Sequence, residues 1–411
     1  MFSCVICGSV SANQVIDFGM LPVAGYLVNL RTEASSQPVY KNSLVRCEKC
    51  GHVQQEGSDF YETLAEKVYT NYRPTYSMSK KVGEYMSKFL DRALALNKLE
   101  EKNSIVLEIG SNDGSMFEKI LERGFRAAGI DPSANTDLQR DNVIVMKQFF
   151  SAPVAKGFVN LYGGVKLIYS RHTLEHVFDP VDFMLGIGLA LDDDGLAVIE
   201  VPYLPTQIRD CHCSAMTFQH ISYFTVSSLK YLAEIAGLEI VDIAFSKMDG
   251  GSVIASFKKR VAASNYALLD HITEFERVTG SISYQGLSAQ FTQLSNVIEM
   301  SREYLVHLAS CGTKIYGYGA GAKGQSLLNQ LAVDSDVIKY VIDDTPGSDG
   351  MFVPGMGAEV VANARVVSTE VDVVFITAPT HIDEIVNKEK NRFSGKPFLA
   401  TSPNLGFCSI I

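Results

Sequence analysis

The sequence predicts an α/β protein, with a doubly wound, mainly parallel sheet at its centre and a second, Rossmann-like unit at its C-terminal end. A small cysteine-bearing unit precedes both. Three observations carry this expectation. Apolar strand candidates alternate with helical segments between about 85 and 260, the pattern of a parallel sheet covered on both faces. The alternation resumes at 314–318 with further strands at 338–342 and 371–376. Four of the eight cysteines form two Cys-x-x-Cys pairs in an N-terminal stretch of little periodicity.

At 411 residues the chain is too long for one core, and the expected division is 1–80, 81–262 and 263–411. The net charge of −10, from 36 basic and 46 acidic residues, argues against nucleic acid or an anionic membrane as the main partner. No run of about 18 uncharged apolar residues predicts a membrane span. Met1-Phe2-Ser3-Cys4 lacks the basic start and apolar run of a signal peptide. The expectation is a cytoplasmic enzyme acting on a small molecule, monomeric or weakly self-associating, with its cysteines reduced.

Taken in order, Cys4, Cys7, Cys47 and Cys50 come first. Two thiolates two residues apart grip one metal from a tight turn, and two such pairs complete a tetrahedral Cys4 zinc site. A closed shell leaves no open position, so this zinc is expected to be structural. Strands are then expected at 104–109, 127–130, 167–170, 196–200, 239–245 and 252–257, followed by one or two helices over 265–310. The first of these strands runs into Val106-Leu107-Glu108-Ile109-Gly110-Ser111-Asn112-Asp113-Gly114, a glycine turn opening a helix. A pyrophosphate-binding turn carries three spaced glycines. This one has Gly110 and Gly114 with Asp113 between them, which suits the amino and sulfonium groups of S-adenosylmethionine better. One strand on, Asp131-Pro132 places a carboxylate where it can accept from a ribose diol. The turn and the carboxylate together predict a class I methyltransferase core. Candidate cofactor contacts are Glu108, Gly110, Asn112, Asp113, Gly114, Asp131, Pro132, Phe149, Phe150, Arg171 and His172.

His172 and His176 follow the third strand candidate, where side chains of an open α/β sheet face the ligand crevice. Thr217-Phe218-Gln219-His220 lies in the loop beyond Val201-Pro202-Tyr203. The last glycine turn, Gly317-Tyr318-Gly319-Ala320-Gly321-Ala322-Lys323-Gly324, precedes a helix expected at 325–331 and makes an anion cradle with a lysine at the helix start.

The order of these parts resembles the S-adenosylmethionine-dependent nucleotide-sugar C-methyltransferases of deoxysugar biosynthesis. The resemblance covers nearly the whole chain: both Cys-x-x-Cys pairs, the YRPTYSMS segment from Tyr72, the VLEIGSNDG turn, Glu175-His176, Gln219-His220, Gly250-Gly251-Ser252 and the turn ending at Lys323. It implies a zinc-binding N-terminal domain, methylation at carbon 3 or 5 of a nucleotide-linked keto-deoxyhexose, and a histidine base at His220, assisted by His176 and Gln219. It also implies substrate contacts at Tyr72, Tyr76, Tyr203, Thr217, Tyr318 and Lys323. Many relatives carry tyrosine and glutamate where this chain has Thr217 and Gln219, so the residue beside the base is neutral here. O- or N-methylation on the same architecture, and a non-catalytic nucleotide-binding module, are the competing readings.

Overall fold

The computed structural model describes residues 2–57, 80–260, 266–402 and 406–410. Its first sheet contains β1 (Ala12–Pro22), β2 (Val39–Cys47) and β3 (Val53–Gln55), with the short helix α1 (Arg31–Ser35) between β1 and β2. Register shifts in the β1–β2 ladder, between Gln14 and Ile16 and again between Asp17 and Met20, break the simple alternation by which strands are recognised in sequence. This stretch accordingly shows little periodicity.

Helix α2 (Lys80–Asn97) leads into the central sheet. Its elements are β4 (Ile105–Ile109), α3 (Phe117–Glu122), β5 (Arg126–Ile130), β6 (Val143–Met146), α4 (Ala152–Tyr162), β7 (Val165–Arg171), α5 (Pro180–Ala190) and β8 (Leu191–Pro202). After α6 (Leu204–Arg209) and the two-residue β9 (Ser222–Tyr223) come α7 (Val226–Ile235), β10 (Leu238–Ser246) and β11 (Ser252–Lys259). The strand order is β10-β11-β8-β7-β4-β5-β6, parallel except that β11 is antiparallel to both neighbours. Alternate residues of β4 serve the two faces. Ile105, Leu107 and Ile109 pack with Phe158, Phe183 and Ile187 of α4 and α5. Val106 packs with Phe89 and Leu90 of α2 and Ile120 of α3. Strands buried on both sides are what covering helices require of a parallel sheet, and this is the class I methyltransferase fold. The sequence reading missed β6, whose four residues are too short for a periodic signal.

The helical span resolves into α8 (Ala267–Val278) and α9 (Tyr284–Ser310), divided where Gly280 takes φ +77° and touches Gly286. The third sheet then forms from β12 (Ile315–Tyr318), β13 (Ile338–Asp343), β14 (Glu359–Ala362), β15 (Val373–Ile376), β16 (Phe398–Ser402) and β17 (Gly406–Ile410). Its order is β14-β13-β12-β15-β16-β17. Helix α10 (Ala322–Gln330) follows β12 and α11 (Ile382–Glu389) follows β15.

Backbone pairings join the units: Val28 bridges Phe352 of the third unit, and a second pairing reaches the central one. Strand β9, carried by the central unit, adds to the edge of the first sheet through Val53–Tyr223 and Gln54–Ser222, and His52 Nε2 lies 3.1 Å from Ser222 Oγ. The cysteine unit thereby grips the segment just after His220. No helix of the described residues is long and apolar enough to cross a membrane.

Candidate active site

The two cysteine knuckles are built alike. Gly8 and Gly51, at φ +67° and +74°, follow the second cysteine of each pair, and their N–H groups return to the carbonyls of Cys4 and Cys47 at 2.9 and 3.0 Å. Positive φ favours glycine at such turns. The four sulfurs lie within 4.8 Å of one another, with Cys4–Cys50 and Cys7–Cys47 at 3.5 Å. A tetrahedral zinc with bonds of about 2.3 Å needs sulfurs about 3.8 Å apart, so the residues fit the ion. The thiols also resist ionising together. The hydrogen bond from Cys50 lowers Cys4 to about 5, and that same bond, with burial, pushes Cys50 far up. Four thiolates at this spacing require a dication between them.

The turn after β4 is closed by the protein itself. A Cβ on Gly110 (φ +82°) would lie 2.1 Å from Thr173 Oγ1, and one on Gly114 (φ +68°) would strike Leu138 and Phe117. These glycines are therefore demanded by packing against the chain's own side chains. Asp131, at the end of β5, accepts from Asn112 N at 3.0 Å through Oδ2 and from Ser133 N and Oγ at 2.6 Å through Oδ1. Oδ2 keeps a second acceptor place, so a ribose hydroxyl fits there. Glu108 lies beneath, 6% exposed. Burial lifts its carboxyl to about 8, and its Oε2 has no hydrogen-bond partner among the described residues.

Other expected cofactor contacts are placed differently. Arg171 is buried over the Tyr85 and Phe89 rings, and its Nε donates to Glu200 Oε2 at 2.8 Å. Phe150 meets Phe183 edge to face at 5.1 Å. Both are packing groups of the sheet. Phe149 is exposed, whereas Pro132 sits half-buried after Asp131.

The loop after β7 carries His172, Glu175 and His176, and Thr173 sets it against the cofactor turn. The adjoining loop carries His220, and Ile221 N donates to the Glu175 carbonyl at 2.8 Å, tying the two loops together. His176 Nδ1 donates to the Gln219 carbonyl at 2.7 Å, which leaves its Nε2 as acceptor in the neutral ring. The His176 and His220 rings meet edge to face at 4.9 Å. Burial first, then His176, pushes His220 down to about 3, so the imidazole is neutral near pH 7. His172, at φ +48°, has Glu175 Oε1 at 3.4 Å, Asp249 Oδ2 at 3.8 Å and Glu200 Oε2 at 3.9 Å. Burial lowers its pKa, but these carboxylates outweigh burial and hold it above the usual value.

Three units meet here. Gln219 Nε2 donates to the Ala24 carbonyl at 2.5 Å, and a Cβ on the neighbouring Gly25 would lie 3.4 Å from that nitrogen and 3.7 Å from Ala322 Cβ. Lys323, at the start of α10, pairs with Asp249 in the β10–β11 connection. Gln219 thus fastens the base loop to the N-terminal unit through its amide nitrogen. Thr217 is buried, and its carbonyl accepts from Gln55 Nε2 at 3.0 Å.

Two residues expected to contact substrate have partners within the protein. Tyr203 donates to the buried Glu276 at 2.9 Å, and Glu276 in turn receives the amides that open α7. Tyr318 donates to Glu389 at 2.9 Å, with Asp344 Oδ2 at 3.2 Å from the same hydroxyl, inside the third unit. Tyr72 and Tyr76 lie outside the described residues. Conversely, sequence reasoning passed over Asp249. Only its position beside the quoted Gly250-Gly251 pair marked it, and its φ of +56° is not visible in sequence.

Three family models match side by side: "Putative zinc binding domain" over residues 4–59, "Methyltransferase domain" over 78–243 and "C-methyltransferase C-terminal domain" over 247–402. The chain is 26% identical over 392 residues to the C-methyltransferase NovU of Streptomyces niveus, covering 94% of this chain and 92% of that one. Among solved structures, the 1,6-didemethyltoxoflavin-N1-methyltransferase of Burkholderia thailandensis, with S-adenosylhomocysteine bound, is 15% identical. The match covers 51% of this chain and 95% of the other at a TM-score of 0.36. The CcbJ methyltransferase of Streptomyces caelestis is 14% identical over 47% and 95%, at 0.33.

Proposed function

We propose that this chain, a member of the S-adenosylmethionine-dependent C-methyltransferases with a zinc-binding N-terminal domain, methylates the carbon beside the ketone of a nucleotide-linked keto-deoxyhexose. The observation that carries the reading is His220. It is a neutral, buried imidazole on a loop tied to the Glu175 loop on one side and, through Gln219, to Ala24 of the N-terminal unit on the other.

A carbon next to a ketone is acidic enough for a positioned base to deprotonate. His220 takes that proton. The C–H electron pair moves into the new carbon–carbon double bond, and the carbonyl pair moves onto oxygen, giving an enolate nucleophilic at carbon. When bound, S-adenosylmethionine supplies an electrophilic methyl group on sulfur. The turn with Asn112, Asp113 and Asp131 holds the donor's amino acid and ribose, and Thr173 fixes the distance between that turn and the base loop. Such alignment removes much of the entropic barrier to a bimolecular transfer. Lys323 and the amides at the start of α10 offer positive charge to a diphosphate, so the nucleotide lies against the third unit with the sugar directed at His220. This requires Lys323 to exchange Asp249 for phosphate, or to share itself between them.

The test is incubation with a panel of nucleotide-linked ketosugars, with mass analysis and NMR of the products. A new methyl group on the α-carbon supports the reading. A methyl group found on oxygen or nitrogen overturns it.

A further inference from the structure

We propose that Glu175 is a positioning residue that supplies the negative charge the His176–His220 pair needs when it takes the substrate proton. The inference rests on the base chemistry above.

A buried imidazole that accepts a proton becomes a buried cation, which is costly without a partner. The residue beside His220 cannot be that partner. Gln219 is neutral, its amide nitrogen donates to Ala24 O, and its carbonyl receives His176. The charged groups around the pair are Glu175, Glu200, Asp249, His172 and Lys323, and the Tyr223 ring lies 6.3 Å from that of His220. Two of the three carboxylates are engaged elsewhere. Asp249 is held by Lys323. Glu200 receives Arg171 at 2.8 Å, Tyr85 at 2.5 Å and Ser246 at 2.7 Å.

Glu175 differs. It is 1% exposed, and neither carboxylate oxygen has a hydrogen-bond partner among the described residues. Its closest charged neighbour is His172, at 3.4 Å. One ring nitrogen of His176, one of His220 and one Glu175 oxygen lie within 4.8 Å of one another. The bond from Ile221 N to the Glu175 carbonyl holds that spacing rigid. Burial would neutralise this carboxyl, but His172, His176 and His220 together keep it below the usual range and so ionised. A fixed, ionised carboxylate that faces imidazoles and no arginine or lysine among the described residues is preorganised to stabilise charge as it forms.

Charge and shape can be separated at this position, because Glu175→Gln keeps the shape and Glu175→Asp keeps the charge. In the glutamine variant, kcat with the ketosugar found by the panel should fall about 10- to 100-fold, with KM and S-adenosylhomocysteine affinity unchanged. The acid-side midpoint of kcat/KM should move down by about one pH unit, because a neutral neighbour no longer raises imidazole basicity. The aspartate variant should retain most of both. A packing role gives the reverse order, near-normal activity for Gln and damage for Asp, and overturns the proposal. If the glutamine variant does not fold, the aspartate variant decides alone: retention of the midpoint supports the proposal and its loss overturns it. NMR titration of His220 without substrate separates this inference from the acceptor reading. A lower midpoint in the glutamine variant supports a charge role even if no ketosugar is turned over, and an unmoved midpoint overturns it.

Discussion

The chain contains two strand–turn–helix units, β4–α3 and β12–α10, that share one device. In each, a carboxylate at the end of the next strand accepts from a turn amide: Asp131 from Asn112 N at 3.0 Å, and Asp343 from Ala320 N at 2.6 Å. Their glycines do different work. In the first turn, Gly110 and Gly114 are locked against Thr173, Leu138 and Phe117, so the backbone shape is fixed by the base loop and its surroundings. In the second, a Cβ on Gly324 would lie 2.1 Å from the Gly319 carbonyl, whereas one on Gly321 meets nothing within 4 Å. That helix start is open, and Lys323 beside it reaches across to the central unit. One clamp thus supports a turn built into the reaction centre and another that faces it from a separate sheet. The proposed function puts donor binding at the first and acceptor binding at the second, and the following variants test that division.

The largest effect is expected where both sides converge. His220→Asn should reduce methyl transfer about a thousandfold or more while leaving S-adenosylmethionine binding by calorimetry within about twofold. Most of kcat retained would remove His220 as the base. Cys47→Ser should come next. Zinc measured by metal analysis should disappear, and activity should fall at least tenfold, because β3 holds β9 and so the His220 segment; unchanged zinc content would defeat the Cys4 assignment. Asp131→Asn and Asp343→Asn test the division directly. The first should weaken S-adenosylhomocysteine binding about tenfold, the loss of a charge-assisted bond. The second should leave that affinity alone and raise KM for the nucleotide sugar. Equal effects on both ligands would end the comparison.

The smallest effect concerns Glu108. Its folded value of about 8 lies above the ordinary carboxyl value of about 4.3, so the folded state binds this proton more tightly. The stability linked to it is complete below about pH 4 and is lost as pH rises through about 8. In the ligand-free protein, Glu108→Gln should therefore lose less Tm than the wild type between pH 6 and 9, by a few degrees. Parallel pH profiles would mean that the carboxyl is solvated.

The difference between the two turns also explains what sequence made legible. The cofactor turn is local: an apolar strand, two glycines and Asp131 one strand later announce it, because neighbouring parallel strands bring their ends together. The cysteine knuckles are equally local. The acceptor side is not. Asp249 reaches Lys323 across 74 positions of sequence, and the left-handed backbone that presents it is fixed by tertiary contacts. Tyr203 and Tyr318 stand at strand ends, where ligand contacts gather, and sequence does not show that carboxylates from distant helices engage their hydroxyls. Glu175 stood inside a quoted motif, and its role becomes visible only when Gln219 is seen to turn toward Ala24.

The most direct test of base-catalysed C-methylation is deuterium exchange at the substrate α-carbon in heavy water, with S-adenosylhomocysteine in place of the methyl donor. The wild-type protein should introduce one deuterium, and His220→Asn should introduce none. Methylated product formed without any exchange of the α-hydrogen would contradict the account.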